Sequence, residues 1–332
     1  MKGGAREGKA DDAFALGRSV RPDREQLLSM VQPALEGARL DDAPLPGYEI
    51  VEEIGRGGMG VVFRAWQTGL GREVAIKRIR APYPAVTEKF LAEARISGKL
   101  DHPGIVPVYD LLRTARGDLA LVMKLVRGTS WKELLHPDNE ARRRDLDFHL
   151  DVLMSVSNAI AFAHSKGLSH NDLKPANVMV GEFGEVLVAD WGLALDMRDD
   201  PDEDAVAPHR STLKAPSGTP AYWAPELARG KGTKVGPWTD VYLLGAILHE
   251  IATGRPPHRG GDLLSSMMAA IKSELPAFEP GAPPGLEEIC RKAMAPGPEA
   301  RYPSVAAFQE ALRAFLSHRE SMTISQGARL TL

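Results

Sequence analysis

The sequence predicts an α+β fold in two unequal lobes, a small and mainly antiparallel β-sheet with one helix followed by a larger and mainly helical part. Two observations indicate this. Short runs rich in valine and isoleucine, separated by glycine-containing turns, occupy residues 48–126 around a single helical pattern. From residue 127 onward, apolar residues recur mostly at helical spacing. A chain of 332 residues is long enough to bury a core of this kind.

The first part is expected to contain strands joined by turns, with one helix inserted among them. Each strand combines β-branched or aromatic residues with a bounding turn. The helix is expected to begin at Thr87, because a threonine before an apolar periodic run is a common N-cap. The predicted elements are the strands Tyr48–Glu53, Gly60–Trp66, Arg72–Ile79, Val106–Leu112 and Leu119–Leu125 and the helix Thr87–Leu100.

The second part is predicted to be built on long buried helices. Asp147–Lys166 places Leu150, Leu153 and Ile160 on one stripe, and Gly167 is suited to end that helix. Asp240–Thr253 repeats the pattern and is closed by Gly254. A third helix, Leu286–Met294, contains Cys290, the one cysteine of the chain, which is expected to be a small buried residue.

The domain limits follow from these changes of pattern. Residues 1–47 are predicted to be an extension with one short helix at Asp23–Gly37, residues 48–126 the first lobe, 127–318 the second and 319–332 a tail. The acidic run Asp196–Asp204 is expected to form a solvated loop, because like charges repel and resist packing.

Composition excludes several classes of function. Hydrophobic residues make up 43% and charged residues 26% of the chain, as in an ordinary globular protein, and the net charge of −3 does not favour a nucleic-acid partner. No apolar run approaches the roughly 18–20 residues of a membrane span. The first residues lack the apolar core of a secretory signal. The cytoplasm is therefore the expected location, which is compatible with an anchor beyond Leu332 in a longer protein.

A glycine-rich stretch lies between the first two predicted strands. Its spacing, Gly55-x-Gly57-x-x-Gly60-x-Val62, lets a backbone approach phosphates closely. The same glycine spacing in a dinucleotide-binding fold precedes a helix, whereas a strand follows here, so the pattern favours a flap over phosphates. Taken alone, it leaves a plain hairpin turn as the less favoured alternative. The candidate nucleotide-binding residues are Ile54, Gly55, Arg56, Gly57, Gly58, Met59, Gly60, Val61 and Val62.

Lys77 ends the run Val74-Ala75-Ile76-Lys77 on the third predicted strand. A lysine in an apolar strand is unfavourable unless its ammonium group meets an anion. Nucleotide phosphates and Glu93 on the predicted helix are two such anions. The alternative is an edge-strand lysine whose charge reaches solvent.

A polar loop follows the predicted helix Asp147–Lys166. Within it, Asp172 is suited to accept a proton from an attacking hydroxyl, and Lys174 is suited to neutralise charge on a phosphoryl group. Asn177 and Asp190 offer the oxygen ligands that Mg²⁺ prefers. Asp190 alone would also fit a turn or a helix cap, but its occurrence after Asp172 and Asn177 favours a metal ligand.

Together these motifs resemble the signature set of protein kinases, in the form found in bacterial eukaryotic-like (Hanks-type) serine/threonine kinases. The resemblance covers residues 48–316. It includes three further stretches, Asp101–Val106, Gly218–Glu226 and Asp240–Gly245, and the single residue Arg301.

This resemblance implies the two-lobed kinase fold and transfer of the ATP γ-phosphoryl group to Ser/Thr hydroxyls of protein substrates, with autophosphorylation. It implies ATP and Mg²⁺ as cofactors, with Mn²⁺ as an alternative ion. Lys174 and Thr219 are associated with Ser/Thr specificity, and Arg301 pairs with Glu226. The catalytic positions are Asp172, Lys174, Lys77 and Glu93, the metal positions are Asn177 and Asp190, and further nucleotide positions are Ala75, Met123 (gatekeeper), Lys124 and Val126 (hinge).

Three residues depart from the family pattern. Asn171 replaces an arginine that pairs with a phosphate on the activation loop, Trp191 replaces a phenylalanine, and Lys124 stands where a hinge glutamate is common. Asn171 carries no charge, so activity is expected not to need a phosphate on the loop. Arg210 or Lys214 is the alternative local partner for such a phosphate. The hydroxyls concerned are those of Ser211, Thr212, Ser217 and Thr219.

Two other functions fit parts of this pattern. Small-molecule kinases of the kinase-like superfamily also lack the loop arginine, but they have no counterpart of Gly218–Glu226. A nucleotide-binding pseudokinase scaffold would be expected to have lost Lys77, Asp172 or Asp190, and all three are present. The sequence does not specify the physiological substrate or the oligomeric state.

Overall fold

The computed structural model describes residues 45–56, 60–79, 84–114, 118–138, 144–200, 205–258, 262–274, 278 and 283–330. Within them a five-stranded antiparallel sheet with one helix precedes a mainly helical part, which confirms the predicted α+β class. The predicted N-terminal helix Asp23–Gly37 lies outside the described residues.

The first lobe contains β1 (Tyr48–Arg56), β2 (Gly60–Gln67), β3 (Arg72–Ile79), α1 (Pro84–Lys99), β4 (Val108–Arg113) and β5 (Leu119–Lys124). The strand order is β1-β2-β3-β5-β4, and all neighbouring strands are antiparallel. Alternation along β3 and β5 places apolar side chains on both faces of the sheet. One face packs Ile79 and Leu121 against Phe90 and Leu91 of α1, which holds the helix on the sheet.

The predicted start of α1 at Thr87 is wrong. The helix begins at Pro84, and Thr87 is buried within its first turns with no hydrogen-bond partner for its hydroxyl among the described residues. Proline is favoured at the first helical position because it has no N–H to leave unsatisfied. That signal outweighs the N-cap preference of Thr87.

The predicted strand Val106–Leu112 starts too early. Val106 donates its backbone N–H to Val188 of the second lobe, and Ile105 forms a bridge to the same residue. Regular pairing with β5 begins only at Val108. The residues before β4 therefore join the two lobes instead of extending the sheet.

The second lobe is built around two buried helices, α3 and α5. Its elements are β6 (Gly128–Ser130), α2 (Trp131–Leu135), α3 (Leu146–Ser165), β7 (Leu168–Ser169), β8 (Val178–Gly181), β9 (Val186–Val188), β10 (Leu195–Asp196), α4 (Pro225–Ala228), α5 (Pro237–Thr253), α6 (Leu263–Lys272), α7 (Pro284–Ala293) and α8 (Val305–Leu330). Strands β6, β8 and β9 form one small sheet, and β7 pairs with β10. Every residue from Thr239 to Glu250 of α5 is buried, so this helix is the base on which the loops above it rest.

Helix α3 is, within the described part of the chain, the one helix whose length and hydropathy would suit a membrane span. Half of that stretch is buried inside the protein. Leu150, Leu153 and Ile160 are fully buried in the core of the second lobe. Its apolar composition is therefore that of a core helix.

The expectation for Asp196 in the second lobe is wrong, whereas the predicted domain limits stay predictions. Asp196, expected in a solvated acidic loop, is buried in β10 and paired with Arg198 at 2.7 Å; residues 201–204 of that run lie outside the described residues. The predicted boundary at residue 318 falls inside α8, which continues to Leu330. The limits of the four predicted regions remain predictions.

A buried histidine of α3 is expected to make stability depend on pH. His149 accepts a hydrogen bond at 3.1 Å from the indole N–H of Trp131, and burial lowers its pKa from 6.5 to about 4. The unfolded chain takes up a proton as the pH falls through 6.5, and the folded chain does so only near 4. The free energy of unfolding should therefore decrease as the pH falls from 6.5 to 4, and His149 should account for at most about 3 kcal/mol of that decrease.

The melting temperature, followed from pH 7.5 to 4, checks this prediction. In His149→Asn an amide oxygen can still accept the Trp131 N–H, but nothing titrates. The variant should show a shallower decline below pH 6.5 than the wild type. Identical slopes for the two proteins would show that His149 does not contribute.

Candidate active site

The register of the sheet places several of the predicted nucleotide-binding residues on one face. Val62 is paired with Lys77, and Ala75 is paired with Met123. Paired residues and alternate residues share a face of an antiparallel sheet, so these four side chains point the same way. Gly55 joins them through its pairing with Val62.

Val61 lies on the opposite face. It is paired with Arg78 and is fully buried, so only its backbone could approach a ligand on the Lys77 face. Ile54 and Arg56 are exposed on β1 at the edge of this region. The tip of the flap, Gly57, Gly58 and Met59, lies outside the described residues.

Two flap glycines differ sharply in the space around them. A Cβ added at Gly60 would lie 2.0 Å from the carbonyl oxygen of Arg78, whereas one added at Gly55 would meet no atom of the described residues closer than 3.9 Å. Gly60 is thus required by the close approach of β2 and β3.

We therefore expect Gly60→Ala to be destabilising and Gly55→Ala to be tolerated. The first must push the two strands apart, at about 1–3 kcal/mol, and should displace Lys77 relative to the flap. The second adds a methyl group with no described atom closer than 3.9 Å, so the melting temperature should not change. Thermal melting and nucleotide affinity of the two variants, measured side by side, check this, and equal behaviour would contradict it.

Lys77 connects the two lobes electrostatically. Its ammonium group donates to both carboxylate oxygens of Glu93 at 2.7 Å and lies 3.8 Å from Oδ1 of Asp190. Burial on its own would lower the pKa of Lys77, but the charges of Glu93 and Asp190 outweigh it and the pKa is raised. Lys77 therefore stays charged and compensated, and the alternative of a solvent-seeking edge lysine is not what the structure shows.

The loop after β7 places a hydroxyl, an ammonium group and a carboxylate in mutual contact. Asp172 Oδ1 accepts a hydrogen bond from the Thr219 hydroxyl at 2.7 Å, and its Oδ2 accepts one from Lys174 Nζ at 2.7 Å. Lys174 also donates to Thr219 Oγ1 at 2.6 Å. The carboxylate of Asp172 is thus already oriented to receive a hydroxyl.

Asn177 and Asp190 flank the end of the β8–β9 pair. The Ala189 N–H donates to the Asn177 carbonyl at 2.9 Å, which places Asp190, the next residue, beside Asn177. Asn177 Nδ2 donates to the Asp172 carbonyl at 2.8 Å, so its Oδ1 is left as the ligand atom. Asp190 has a positive φ of 62° and a side chain that is 39% exposed.

Sequence reasoning gave Asp240 no role, although it organises the loop. Its carboxylate accepts the backbone N–H groups of His170 at 2.8 Å and Asn171 at 2.9 Å, and a hydrogen bond from His164 Nε2 at 2.7 Å. Burial would raise the pKa of Asp240, but these hydrogen bonds outweigh it and the pKa is lowered. The sequence contained one signal for this role: Asp240 is an acidic residue in the first turn of a helix that is otherwise mainly apolar.

Glu226 and Arg301 form the pair that the resemblance implied. Arg301 Nη1 and Nη2 donate to the two oxygens of Glu226 at 2.8 and 3.0 Å. Thr239 also donates to Glu226, at 2.8 Å. Both charged side chains are almost completely buried, so this pair anchors the end of the segment that carries Thr219.

The hinge positions lie at the end of β5. The backbone N–H of Lys124 donates to Pro107 O at 2.9 Å, and its ammonium group lies 4.0 Å from Glu185. The side chain of Lys124 is therefore directed to the hairpin of β8 and β9, on the opposite face from Met123. Val126 follows two residues later, in the connection to the second lobe.

Comparison with known proteins identifies this arrangement. The family model described as "Protein kinase domain" matches residues 48–311. The chain belongs to the protein kinase family. Kinases of this family use ATP with a divalent metal ion and act on protein substrates. We refer to residues 190–226 of this kinase as the activation segment.

Bacterial kinases are among its relatives. The chain is 35% identical over 237 residues to the serine/threonine-protein kinase PknD of Protochlamydia amoebophila. The aligned region covers 65% of this chain and 24% of that protein. It is 33% identical over 285 residues to the protein of the same name in Chlamydia felis, with coverage of 79% and 30%. For Chlamydia muridarum the values are 33% over 310 residues, 83% and 32%. The chain thus spans about a quarter to a third of the length of these relatives.

Proposed function

We propose that this kinase transfers the γ-phosphoryl group of ATP to serine and threonine hydroxyls of protein substrates. The main support is the shared contact of Lys77 with Glu93 of the first lobe and Asp190 of the second. A cation and a carboxylate from opposite lobes meet there beside the loop of Asp172, as phosphoryl transfer requires.

Asp172 acts on the attacking hydroxyl. In the structure its Oδ1 accepts a hydrogen bond from the hydroxyl of Thr219 at 2.7 Å. A serine or threonine of a substrate would be held in the same way, aligned for attack while its proton passes to the carboxylate. Lys174, 2.7 Å from Oδ2, offsets charge that develops on the transferred group.

The residues present fit a magnesium ion with a nucleotide. Asp190 supplies a partly exposed carboxylate and Asn177 an amide oxygen, and Mg²⁺ is commonly held by one or two protein oxygens together with substrate phosphates. The described residues include no group of three or more His, Cys, Asp or Glu able to hold a metal unaided. When bound, the ion would neutralise charge on the phosphates. We propose Mg²⁺ as the working ion, with Mn²⁺ as a substitute.

Nucleotide binding would use the face of the sheet that carries Lys77. Ala75, Met123 and Val62 line it as small or apolar side chains beside the adenine, and the hinge from Lys124 to Val126 offers backbone groups. The amide of Lys124 is engaged by Pro107, so its carbonyl and the amide of Val126 are the proposed partners of adenine. The flap from Ile54 to Val62 would cover the phosphates.

Incubation with γ-labelled ATP, Mg²⁺ and a basic protein substrate tests this function, with Lys77→Met as the control. We expect label on serine and threonine of the protein, dependence on the divalent ion, and loss of transfer in the variant. ATP binding without transfer would indicate a pseudokinase scaffold. Label on a small molecule but not on protein would indicate a small-molecule kinase.

The proposal includes activity without phosphate on the activation segment, although autophosphorylation is expected to occur. Asn171 has no charge with which to hold a phosphate there. Phosphatase-treated and untreated protein should have similar initial rates, and mass spectrometry would locate any phosphate on Ser211, Thr212, Ser217 or Thr219. A large loss of rate on treatment would contradict this part and would indicate that Arg210 or Lys214 holds the phosphate.

We expect the enzyme to act in the cytoplasm.

A further inference from the structure

Asn171 lies where the catalytic loop, which we define as residues 170–177, meets the start of the activation segment. Its side-chain amide donates to the carbonyl of Leu193 at 3.1 Å, to Ser169 Oγ at 2.9 Å and to Ser169 O at 3.3 Å. The residue is 1% exposed. It therefore connects β7 directly to the turn that follows Asp190.

The atoms around the Asn171 side chain require a hydrogen-bond donor at the position of Nδ2. Two of its three partners, the carbonyls of Ser169 and Leu193, can only accept hydrogen bonds. This fixes the orientation of the side chain, with Nδ2 toward them and Oδ1 away. Oδ1 is buried and meets no donor in the described part of the chain.

Stability alone does not account for an asparagine here. The backbone of Asn171 has a φ of 64°, a conformation in which glycine is favoured and asparagine tolerated. Glycine would fit that backbone without leaving a buried acceptor unpaired, which is an unfavourable and unusual condition. What glycine lacks is the N–H that reaches Leu193.

We propose that Asn171 is a positioning residue that holds Asp190 in the metal site by tethering the backbone of Leu193, with no need for a phosphate. This inference rests on the proposed kinase function. The tether has a rigid base, because Asp240 fixes the Asn171 N–H at 2.9 Å and the Ser169 hydroxyl donates to Leu195 O at 3.3 Å.

The residue that the tether positions is Asp190. Its backbone has a φ of 62°, a left-handed conformation that aspartate adopts less readily than the extended or helical ones, so contacts of the following turn help to keep it. Releasing Leu193 should allow Asp190 to leave this conformation. The carboxylate would then lie near Lys77 and the metal position less often. The Mg²⁺ concentration needed for half-maximal activity should therefore rise, while the melting temperature changes little.

The experiment compares wild type, Asn171→Gly and Asn171→Asp. Asn171→Gly keeps the backbone conformation and removes the donor; Asn171→Asp keeps the shape and turns an acceptor toward two carbonyls. Both should raise the Mg²⁺ concentration for half-maximal activity roughly 10-fold, with little change in the KM for the protein substrate. Asn158→Asp is the matched control, because Asn158 uses its side-chain oxygen to accept from Gln309 at 2.7 Å, and its Mg²⁺ requirement should not move.

Mg²⁺-dependent binding of ATP, followed in the same proteins by titration calorimetry, separates this inference from the proposed function. If wild type binds ATP without transferring phosphate, the proposed function fails, and the shift in Mg²⁺ dependence of binding still decides the role of Asn171. A wild-type Mg²⁺ dependence in Asn171→Gly would overturn the inference. So would a rise in the Mg²⁺ requirement of wild type on phosphatase treatment, because phosphate would then hold the segment. Should both variants fail to fold, Ser169→Ala removes one arm of the tether and is expected to shift the requirement in the same direction.

Discussion

Replacing Asp172 by asparagine should lower kcat by about 10²–10⁴-fold while leaving the protein folded. The substitution removes the base that receives the hydroxyl proton but keeps a side-chain oxygen able to accept from Thr219 or Lys174. The backbone contacts of the loop, such as the hydrogen bond from Asn177 Nδ2 to the carbonyl of residue 172 at 2.8 Å, do not depend on the carboxylate. The loss should therefore appear in kcat, with the KM for ATP changed much less.

Initial rates with labelled ATP, together with thermal melting, check this expectation. Asp151→Asn is the matched control, since Asp151 lies exposed on α3 and should keep wild-type kinetics. A kcat within a factor of three of wild type in Asp172→Asn would show that another group takes the proton. A collapse of the melting temperature would show that the charge of Asp172 is structural.

The motifs in the sequence indicated the pair of Lys77 and Glu93 because each type of residue is informative at its own position. A lysine in an apolar strand needs an anion, and a helix glutamate within reach is one of very few. The strands were predicted for a similar reason, because valine-rich runs bounded by glycine have a local cause. For α1, two local signals competed, and the proline at residue 84 determined the start of the helix.

The contacts that orient the catalytic loop could not be predicted in this way. Asp240 reaches His170 and Asn171 from a helix 70 and 69 residues further along the chain. Thr219 reaches Asp172 across 47 residues. Such contacts depend on how α5 and the activation segment pack, and neither hydrophobic periodicity nor motif spacing contains that information. The same holds for Asn171, whose departure from the family pattern was visible but whose partner Leu193 was not.

Removing Arg301 should cause the largest loss of stability among single substitutions in this site. In Arg301→Met a side chain of similar volume remains, but the buried carboxylate of Glu226 loses its cationic partner and keeps only the hydrogen bond from Thr239. Breaking a buried pair from one side typically costs about 3–5 kcal/mol, which for a chain of this size corresponds to a fall in melting temperature on the order of 10 °C. Denaturant unfolding of the variant, with Arg291→Met as control, measures it. Arg291 and Glu287 on α7 are 50% and 37% exposed, so that pair should contribute no more than about 1 kcal/mol.

The double variant Arg301→Met/Glu226→Leu separates the charge from the packing. With both charges gone, no carboxylate is left unpaired, so the double variant should be less destabilised than the sum of the two single variants. Simple additivity would mean that the ion pair does not couple the two positions. Phosphoryl transfer should nevertheless remain impaired in the double variant, because Glu226 ends the segment whose Thr219 contacts Asp172 and Lys174. Recovery of stability without recovery of activity would assign to this pair the task of holding the activation segment against α5.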